Sequence, residues 1–507
     1  VHLAEKPRTA AQPAARPTTQ PVMRPTTPLP AARPAASRAP DPRVAWDRRA
    51  RLRQGGAFVL GGAPWGVVRL SAPAQQFARR ARDAGPTGLV PNGPVERRTA
   101  DLLLERGIVH PVVAARPRAH RVTVIVPAHD RLDLLDACLS RLRGLDVVVV
   151  DDASRDADGV RRIADSHGAR LVRHAANRGP GAARNTGLEH TEAPVVAFLD
   201  SDCTAEPGWL DALLPHFDDP RVGAVAPRVR PHHDGGSLLA RHEEARSALD
   251  MGRHPELVRH GAALGFLPSA ALVVRREALA GGAFEPSLRV GEDVDLVWRL
   301  VDAGWLVRYD PAVDVGHEAR VRPVEWARRR YEYGTSAAAL DRRHPGRLAP
   351  ARVSAWNVAA VALLLAHRPG AATAVAAAAT GLLANRLRRT GARPDLAARI
   401  IAKGLAADTL AVGHALRREW WPAGWAALAL APRSRVAAAA SVSMLAPIIL
   451  ELITTRPGVD PLRYTLLRLV EDAAYGSGVL VSAARAGRAG PLRPDIRLPF
   501  RNTGGRR

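Results

Sequence analysis

The sequence predicts an α/β fold: a doubly wound, mostly parallel sheet, with a small N-terminal α+β unit and an Ala-rich helical C-terminal region. Three observations predict it. Between residues 119 and 345, short apolar, β-branched runs alternate with helical patterns, as buried parallel strands joined by crossover helices do. Residues 54–118 follow a strand, strand, helix, helix order. Residues 346–490 are dominated by Ala and Leu. A chain of 507 residues is also too long for one compact core, so several domains are expected.

Residues 1–53 are rich in Pro, Ala, Thr and Arg, a composition that cannot build a core, and predict a disordered tail. In the next unit, 57–60 and 67–70 form a hairpin around Gly61-Gly62-Ala63-Pro64. Ser71 suits the N-cap of a helix through Arg82, and a second helix over 95–106 ends at Gly107. The order resembles the small winged-helix peptide-binding units of enzymes that modify ribosomal peptides; a plain N-terminal subdomain fits as well. The central strands fall at 122–126, 146–150, 170–172 and 195–199, with helices around 131–142, 157–167 and 180–190. Ligands of such sheets bind beyond the carboxyl ends of the strands.

In the C-terminal third the longest uncharged runs, 371–385 and 436–450, fall short of the ~20 residues that span a bilayer, and Pro447 and Glu451 interrupt the second. Buried helices, a re-entrant pair and interfacial helices all fit, so peripheral or re-entrant membrane contact through 355–450 is expected. Residues 491–507 predict a basic, disordered tail.

The net charge of +24 points first to nucleic acid or an anionic membrane. Lys6 and Lys403 are the only lysines, the arginines are dispersed, and aromatics make up 4 % of the chain. A nucleic-acid reader needs a basic face with stacking groups, so no nucleic acid is expected as a partner. Cys138 and Cys203 have no metal-ligand spacing and form no disulfide framework. The charged, Pro-rich start replaces the apolar run of a signal peptide. The expected location is the cytoplasm, at the inner face of the cell membrane.

The chemistry is carried by four acidic or polar clusters and one histidine. Phe198-Leu199-Asp200-Ser201-Asp202 places two carboxylates at i and i+2 beyond a buried strand, hard oxygen ligands suited to Mn²⁺ or Mg²⁺. Val150-Asp151-Asp152-Ala153-Ser154 follows the second strand; these acids either accept hydrogen bonds from a nucleobase or ribose, or cap a helix together with Ser154 and Asp156. In Asn177-Arg178-Gly179-Pro180-Gly181-Ala182-Ala183-Arg184-Asn185 the glycines open a helix whose N-terminus attracts anions. Arg184 there reaches a phosphate, orients an aspartate or lies on the surface. Glu292 and Asp293 begin a helix whose apolar face is Leu296, Val297 and Leu300. They serve either the helix dipole or, beside a metal site, as a general base for an acceptor hydroxyl. His317 is either structural or the imidazole that completes the metal site.

As an ordered set, Val122-Thr-Val-Ile-Val-Pro127, Val150-Asp-Asp-Ala-Ser154, Asn177 to Asn185, Asp200-Ser-Asp202 and Gly291-Glu-Asp293 resemble family 2 glycosyltransferases of the GT-A fold. The resemblance implies nucleotide-sugar binding by Pro127, Asp151, Asp152, Arg184 and Asp200, metal binding by Asp200, Asp202 and His317, and catalysis by Asp293 with Glu292. It implies a single displacement at C1 that inverts the anomeric centre, through a transition state of oxocarbenium character. The Gln-x-x-Arg-Trp motif of processive polysaccharide synthases is missing; the corresponding stretch reads Trp326-Ala-Arg-Arg-Arg-Tyr-Glu-Tyr-Gly334.

The whole layout, with Val68-Arg-Leu-Ser71, Phe198 to Cys203, Gly291 to Asp295 and the Ala-rich last third, is similar to the mycofactocin-system glycosyltransferases. That similarity implies UDP-glucose as donor, the peptide-derived premycofactocin as acceptor, and β-1,4-linked glucose as product. A family 2 transferase acting on cell-wall or lipid-linked glycans would carry the same catalytic residues and is the main rival. A basic nucleic-acid-binding protein and a dead scaffold are the remote ones.

Overall fold

Val122–Ala128, Asp146–Asp151, Arg170–Arg173 and Val195–Leu199 are runs of β-branched and apolar residues, and they pair in parallel as expected. The structure is a computed structural model and describes residues 43–117, 120–233 and 235–498. Helices Leu132–Ser140, Ala157–Ser166 and Pro180–Glu189 make the crossovers. Val124, Val126, Val147, Val149 and Ala197 are buried in one core layer. The last crossover helix lies close on the sheet because Gly187 has no Cβ; one there would sit 2.3 Å from Ile125.

The other half of the sheet departs from the expected mostly parallel order. Ala271–Arg275 runs antiparallel between Val195–Leu199 and Val222–His232. Leu306–Glu318 lies parallel to Val222–His232 but antiparallel to Cys203–Ala205 and Glu256–Val258. The nine-stranded sheet is therefore mixed. Ala271–Arg275 is as apolar as its parallel neighbours because helices and loops cover both of its faces, so its composition is silent about direction.

In the N-terminal unit, Phe58–Gly61 and Gly66–Arg69 form the predicted hairpin, followed by helices Ala72–Asp83 and Gly93–Glu105. Ser71 holds the N-cap position, but its side chain makes no capping hydrogen bond. Ordered structure begins earlier than the predicted boundary at 53. Arg51–Arg53 adds a third strand to the hairpin, and Val44–Trp46 pairs with Val109–Pro111. Val44 and Ala50 are drawn into the core with Phe77 and Leu103. The rest of the predicted tail, 1–42, lies outside the described residues.

The C-terminal region is helical: Ala355–Leu365, Pro369–Arg388, Pro394–Arg417, Trp421–Leu430, Arg435–Thr455 and Pro461–Arg485. The 21-residue helix Arg435–Thr455 is long and apolar enough, by length and composition, to cross a membrane, contrary to the expectation drawn from its uncharged run. Pro447 lies within it and does not end it. Proline cannot donate to the carbonyl four residues back. That carbonyl, of Ser443, lies where a Cβ on Gly413 would be 1.9 Å away, so two helices meet there at backbone distance. The predicted tail 491–507 is ordered in part, since Asp495–Arg497 pairs with Arg352–Ser354; 499–507 lie outside the described residues.

Helix Pro461–Arg485 fastens this region to the half that carries the large sheet by packing on helix Pro323–Thr335. A Cβ on Gly334 would stand 2.0 Å from the Tyr475 carbonyl, and one on Gly478 2.1 Å from that of Tyr331. Buried ion pairs flank the crossing: Arg330 with Glu471 at 2.9 Å, and Arg468 with Glu471 at 2.6 Å. Removing one partner of such a pair costs about 3–5 kcal/mol, because it strands the other charge.

Candidate active site

A cavity of about 960 Å³ opens beyond the carboxyl ends of the parallel strands, where the topology predicts a ligand site. Pro127, Asp152, Arg184, Asp200, Asp202, Glu292, Asp293 and His317 all line it. A second cavity, of about 700 Å³, lies at the opposite strand ends beside the Arg170–Asp146 surface ion pair and holds none of these residues.

Asp200 stands just beyond strand Val195–Leu199, and the chain turns there, with Cys203 N–H donating to the Asp200 carbonyl at 3.0 Å. The returning strand pairs Cys203 with His317. This register brings the Asp202 carboxylate within 3.5 Å of the His317 imidazole. Burial pushes the Asp202 carboxyl up, but the charge and hydrogen bond of His317, together with the Arg320 charge, outweigh it and hold the group at about 2. Burial likewise opposes the charged form of His317, and Asp202 outweighs it and raises the imidazole. Cys138 and Cys203, buried beneath, are free thiols.

Arg184 is buried in the helix Pro180–Glu189. Its guanidinium donates to Asp200 at 2.5 Å and to Glu292 at 2.9 Å, and stacks over Phe284. Burial disfavours its charge, but Asp200 and Glu292 more than compensate and raise it. Arg184 is therefore not a surface arginine; it is buried and paired with Asp200 and Glu292. Glu292 is likewise paired with Arg184.

Among the described residues no three metal-ligating side chains come together. Asp202 and His317 are the adjacent pair, and Asp200 has one oxygen engaged by Arg184. Such a donor set fits a divalent ion that takes one or two protein ligands and completes its shell from phosphate oxygens and water, as Mg²⁺ does.

The two acids after the second strand part company. Asp152 lines the cavity and accepts from the backbone N–H of Arg178 at 2.8 Å and of Gly179 at 2.7 Å, with His174 at 2.7 Å. It shapes the loop that opens helix Pro180–Glu189, whose cap Gly179 has φ of 89°. Asp151 is fully buried away from the cavity. It accepts from Ser154 N–H at 2.9 Å and pairs with Arg173, so the structure does not bring it to the cavity with the other predicted site residues. Asp156 caps the following helix, accepting from Gly159 N–H at 2.8 Å.

Asp293 sits half-buried in the first turn of helix Glu292–Asp302, at the cavity wall. It accepts from Val294 N–H at 2.7 Å and Ser269 N–H at 3.3 Å. Burial, and then the neighbouring Glu292 charge, push its carboxyl up to about 7. A carboxyl poised near neutrality inside a cleft suits a general base. Asp295, two residues on, points elsewhere: His344, Arg343 and Arg299 outweigh its burial and hold it low.

Residues that the sequence reading missed complete the cavity. Trp298, Arg320, Arg329, Tyr333, Arg418 and Tyr475 line it, and the last two come from the C-terminal helices. Glycines spaced along Pro461–Arg485 (Gly476 and Gly478) were the available signal of close helix contact.

Residues 123–280 match the family described as Glycosyl transferase family 2. Over 481 residues the chain is 35 % identical to the pre-mycofactocin glycosyltransferase of Mycobacterium tuberculosis, covering 91 % of this chain and 99 % of that protein. The chain belongs to the pre-mycofactocin glycosyltransferase family. It is a nucleotide-sugar-dependent glycosyltransferase of the GT-A fold. Glycosyltransferase AglE of Haloferax volcanii is 27 % identical over 213 residues, 39 % of this chain and 67 % of that one. The mannosyltransferase PcManGT of Pyrobaculum calidifontis, solved with GDP-Man and Mn²⁺, is 25 % identical with a TM-score of 0.36, over 66 % of this chain and 89 % of that one. The match to AglE is of partial length, whereas the similarity to the mycobacterial enzyme runs through the C-terminal helices of this glycosyltransferase as well.

Proposed function

We propose that this enzyme transfers glucose from UDP-glucose to pre-mycofactocin with inversion, building a β-1,4-linked chain. The observation that carries the reading is Asp293, a carboxyl held at about 7 in the same cavity as Asp202, His317 and the N-terminus of helix Pro180–Glu189. The helix N-terminus favours the anionic diphosphate of the donor. Asp152 holds the loop that faces it, and Arg184 fixes Asp200 and Glu292 in place. Asp202 and His317 would hold Mn²⁺ or Mg²⁺, and the ion would supply positive charge against a departing nucleoside diphosphate. Asp293 accepts the proton of the acceptor hydroxyl as that oxygen attacks C1 and the C1–O bond to UDP breaks on the opposite face. Asp293 is thereby protonated, UDP leaves as the anion, and the α-linked donor becomes a β-glucoside.

We also infer a peripheral position at the inner face of the cell membrane. Val358 and Leu364, Trp425 and Leu430, and Ile449 and Ile453 expose apolar side chains on three C-terminal helices, and Arg433 and Arg435 flank them. Apolar helices edged by arginine suit the interface of an anionic bilayer.

The test is incubation of purified protein with Mn²⁺, a panel of nucleotide sugars and pre-mycofactocin, followed by mass spectrometry. Successive hexose additions that need UDP-glucose and Asp293 are expected. Transfer from another nucleotide sugar alone would refute the donor, and transfer only to wall or lipid glycans would refute the acceptor.

A further inference from the structure

The cavity is large for one nucleotide sugar. Its volume stands at the upper end of the ~300–1,000 Å³ of small-molecule sites. The phosphate- and metal-type groups described above occupy one wall. Another part of the lining, a wall that adjoins His317 at Arg329 and Tyr333, comes from helices Pro323–Thr335, Pro394–Arg417 with the residue that follows it, and Pro461–Arg485.

Two stacked pairs stand on that wall. The Arg329 guanidinium lies 4.8 Å from the centre of the Tyr333 ring, and that of Arg418 lies 3.6 Å from the centre of the Tyr475 ring. All four residues line the cavity and are half-buried. The first pair is an i,i+4 neighbour pair on helix Pro323–Thr335, whereas the second is built by tertiary packing, since Arg418 and Tyr475 come from different helices. A Cβ on Gly476 would stand 1.8 Å from the Arg418 carbonyl, so the two helices meet at backbone contact beside the stacked pair. The wall also lies next to the base. A Cβ on Gly291, two residues before Asp293, would stand 3.0 Å from Ser336, one turn beyond Tyr333.

A guanidinium on a tyrosine presents a flat platform, and its in-plane fork of five N–H donors exceeds what one neighbouring carboxylate can take. Such a platform stacks on a flat group and donates to its oxygen atoms. The wall's carboxylates, Glu471 and Asp472, are taken up by Arg330, Arg468 and Arg417. We propose that Arg329, Tyr333, Arg418 and Tyr475 form the acceptor subsite and select a planar, oxygen-bearing small molecule whose hydroxyl is presented to Asp293. This rests on the glycosyl-transfer reading of the same cavity. It makes the C-terminal helices part of the specificity machinery.

The experiment is calorimetric titration of the purified full chain with two probes: pre-mycofactocin alone, and UDP with Mn²⁺ alone. Arg418→Gln and Tyr475→Leu are expected to weaken pre-mycofactocin binding about tenfold and to leave UDP binding within twofold. Tyr333→Leu, on another helix, provides the same comparison should Tyr475→Leu fail to fold. Unchanged pre-mycofactocin binding in the folded variants, equal loss of both ligands, or no saturable binding to the wild type would each overturn the proposal. Failure of the glycosyl-transfer reading has a separate signature: the wild type would bind both ligands and form no glycoside when they are supplied with UDP-glucose.

Discussion

Asp293→Asn should slow transfer and stabilise the fold together, with the second effect confined to a defined pH range. A carboxyl held at about 7, against an ordinary 3.8, resists ionisation in the folded state by about 4 kcal/mol. Half-burial at a water-filled cleft reduces the realised cost to about 2–4 kcal/mol. Because the folded pKa is raised, the folded chain binds the proton more tightly than the unfolded one. Stability therefore falls as pH rises from about 4 to about 7 and stays lowered above that. The neutral amide of asparagine avoids the cost, so the variant should exceed the wild type by about 2–4 kcal/mol at pH 8 and match it near pH 4. Loss of a general base should lower kcat by about 10²–10⁴. In the wild type, kcat/KM should rise through pH 7 and level off; in the variant that limb should vanish. Urea unfolding at pH 4 and pH 8 and initial rates with UDP-glucose are the assays. A stability difference equal at both pH values, or a variant within tenfold of wild-type kcat, would refute the assignment of Asp293 as a proton acceptor perturbed by burial.

Arg184→Met strands two carboxylates, Asp200 and Glu292, and should cost about 3–5 kcal/mol of stability, measured by denaturant unfolding. Asp202→Ala and His317→Ala should each weaken Mn²⁺-dependent UDP binding by about tenfold or more while leaving metal-free binding alone; calorimetry with and without a chelator checks it. Gly334→Ala drives a methyl group into the Tyr475 carbonyl and should destabilise by about 1–3 kcal/mol, with pre-mycofactocin binding falling as the two helices separate. Ile449→Glu combined with Ile453→Glu alters one exposed helical face and should abolish flotation with anionic vesicles without changing transfer in detergent-free buffer.

The parallel half of the sheet was legible in the sequence because buried strands there are unbroken β-branched runs, and the acids that follow them mark the ligand edge. Direction was not legible in Ala271–Arg275, where burial on both faces erases any alternation. Asp151 and Asp152 are adjacent in sequence and chemically identical; only the turn of the backbone at the strand end sends one into the core and the other to the cavity. The meeting of Asp202 with His317 depends on one antiparallel register between Cys203–Ala205 and Leu306–Glu318, a long-range pairing with no local trace. The same holds for the wall carrying Arg418 and Tyr475. Its residues are ordinary helix surface until glycine contacts bring three helices together.

The helix Pro461–Arg485 closes a chamber whose base was laid down far upstream in the chain. During synthesis, the sheet and its acids leave the ribosome before that helix exists. On the function proposed above, a nascent chain would carry the proton acceptor and the diphosphate groove on an open, water-filled face. Activated sugar reaching it would meet water as readily as an acceptor. Because the last wall arrives late, selective transfer on that reading would become available only after the helical region has docked.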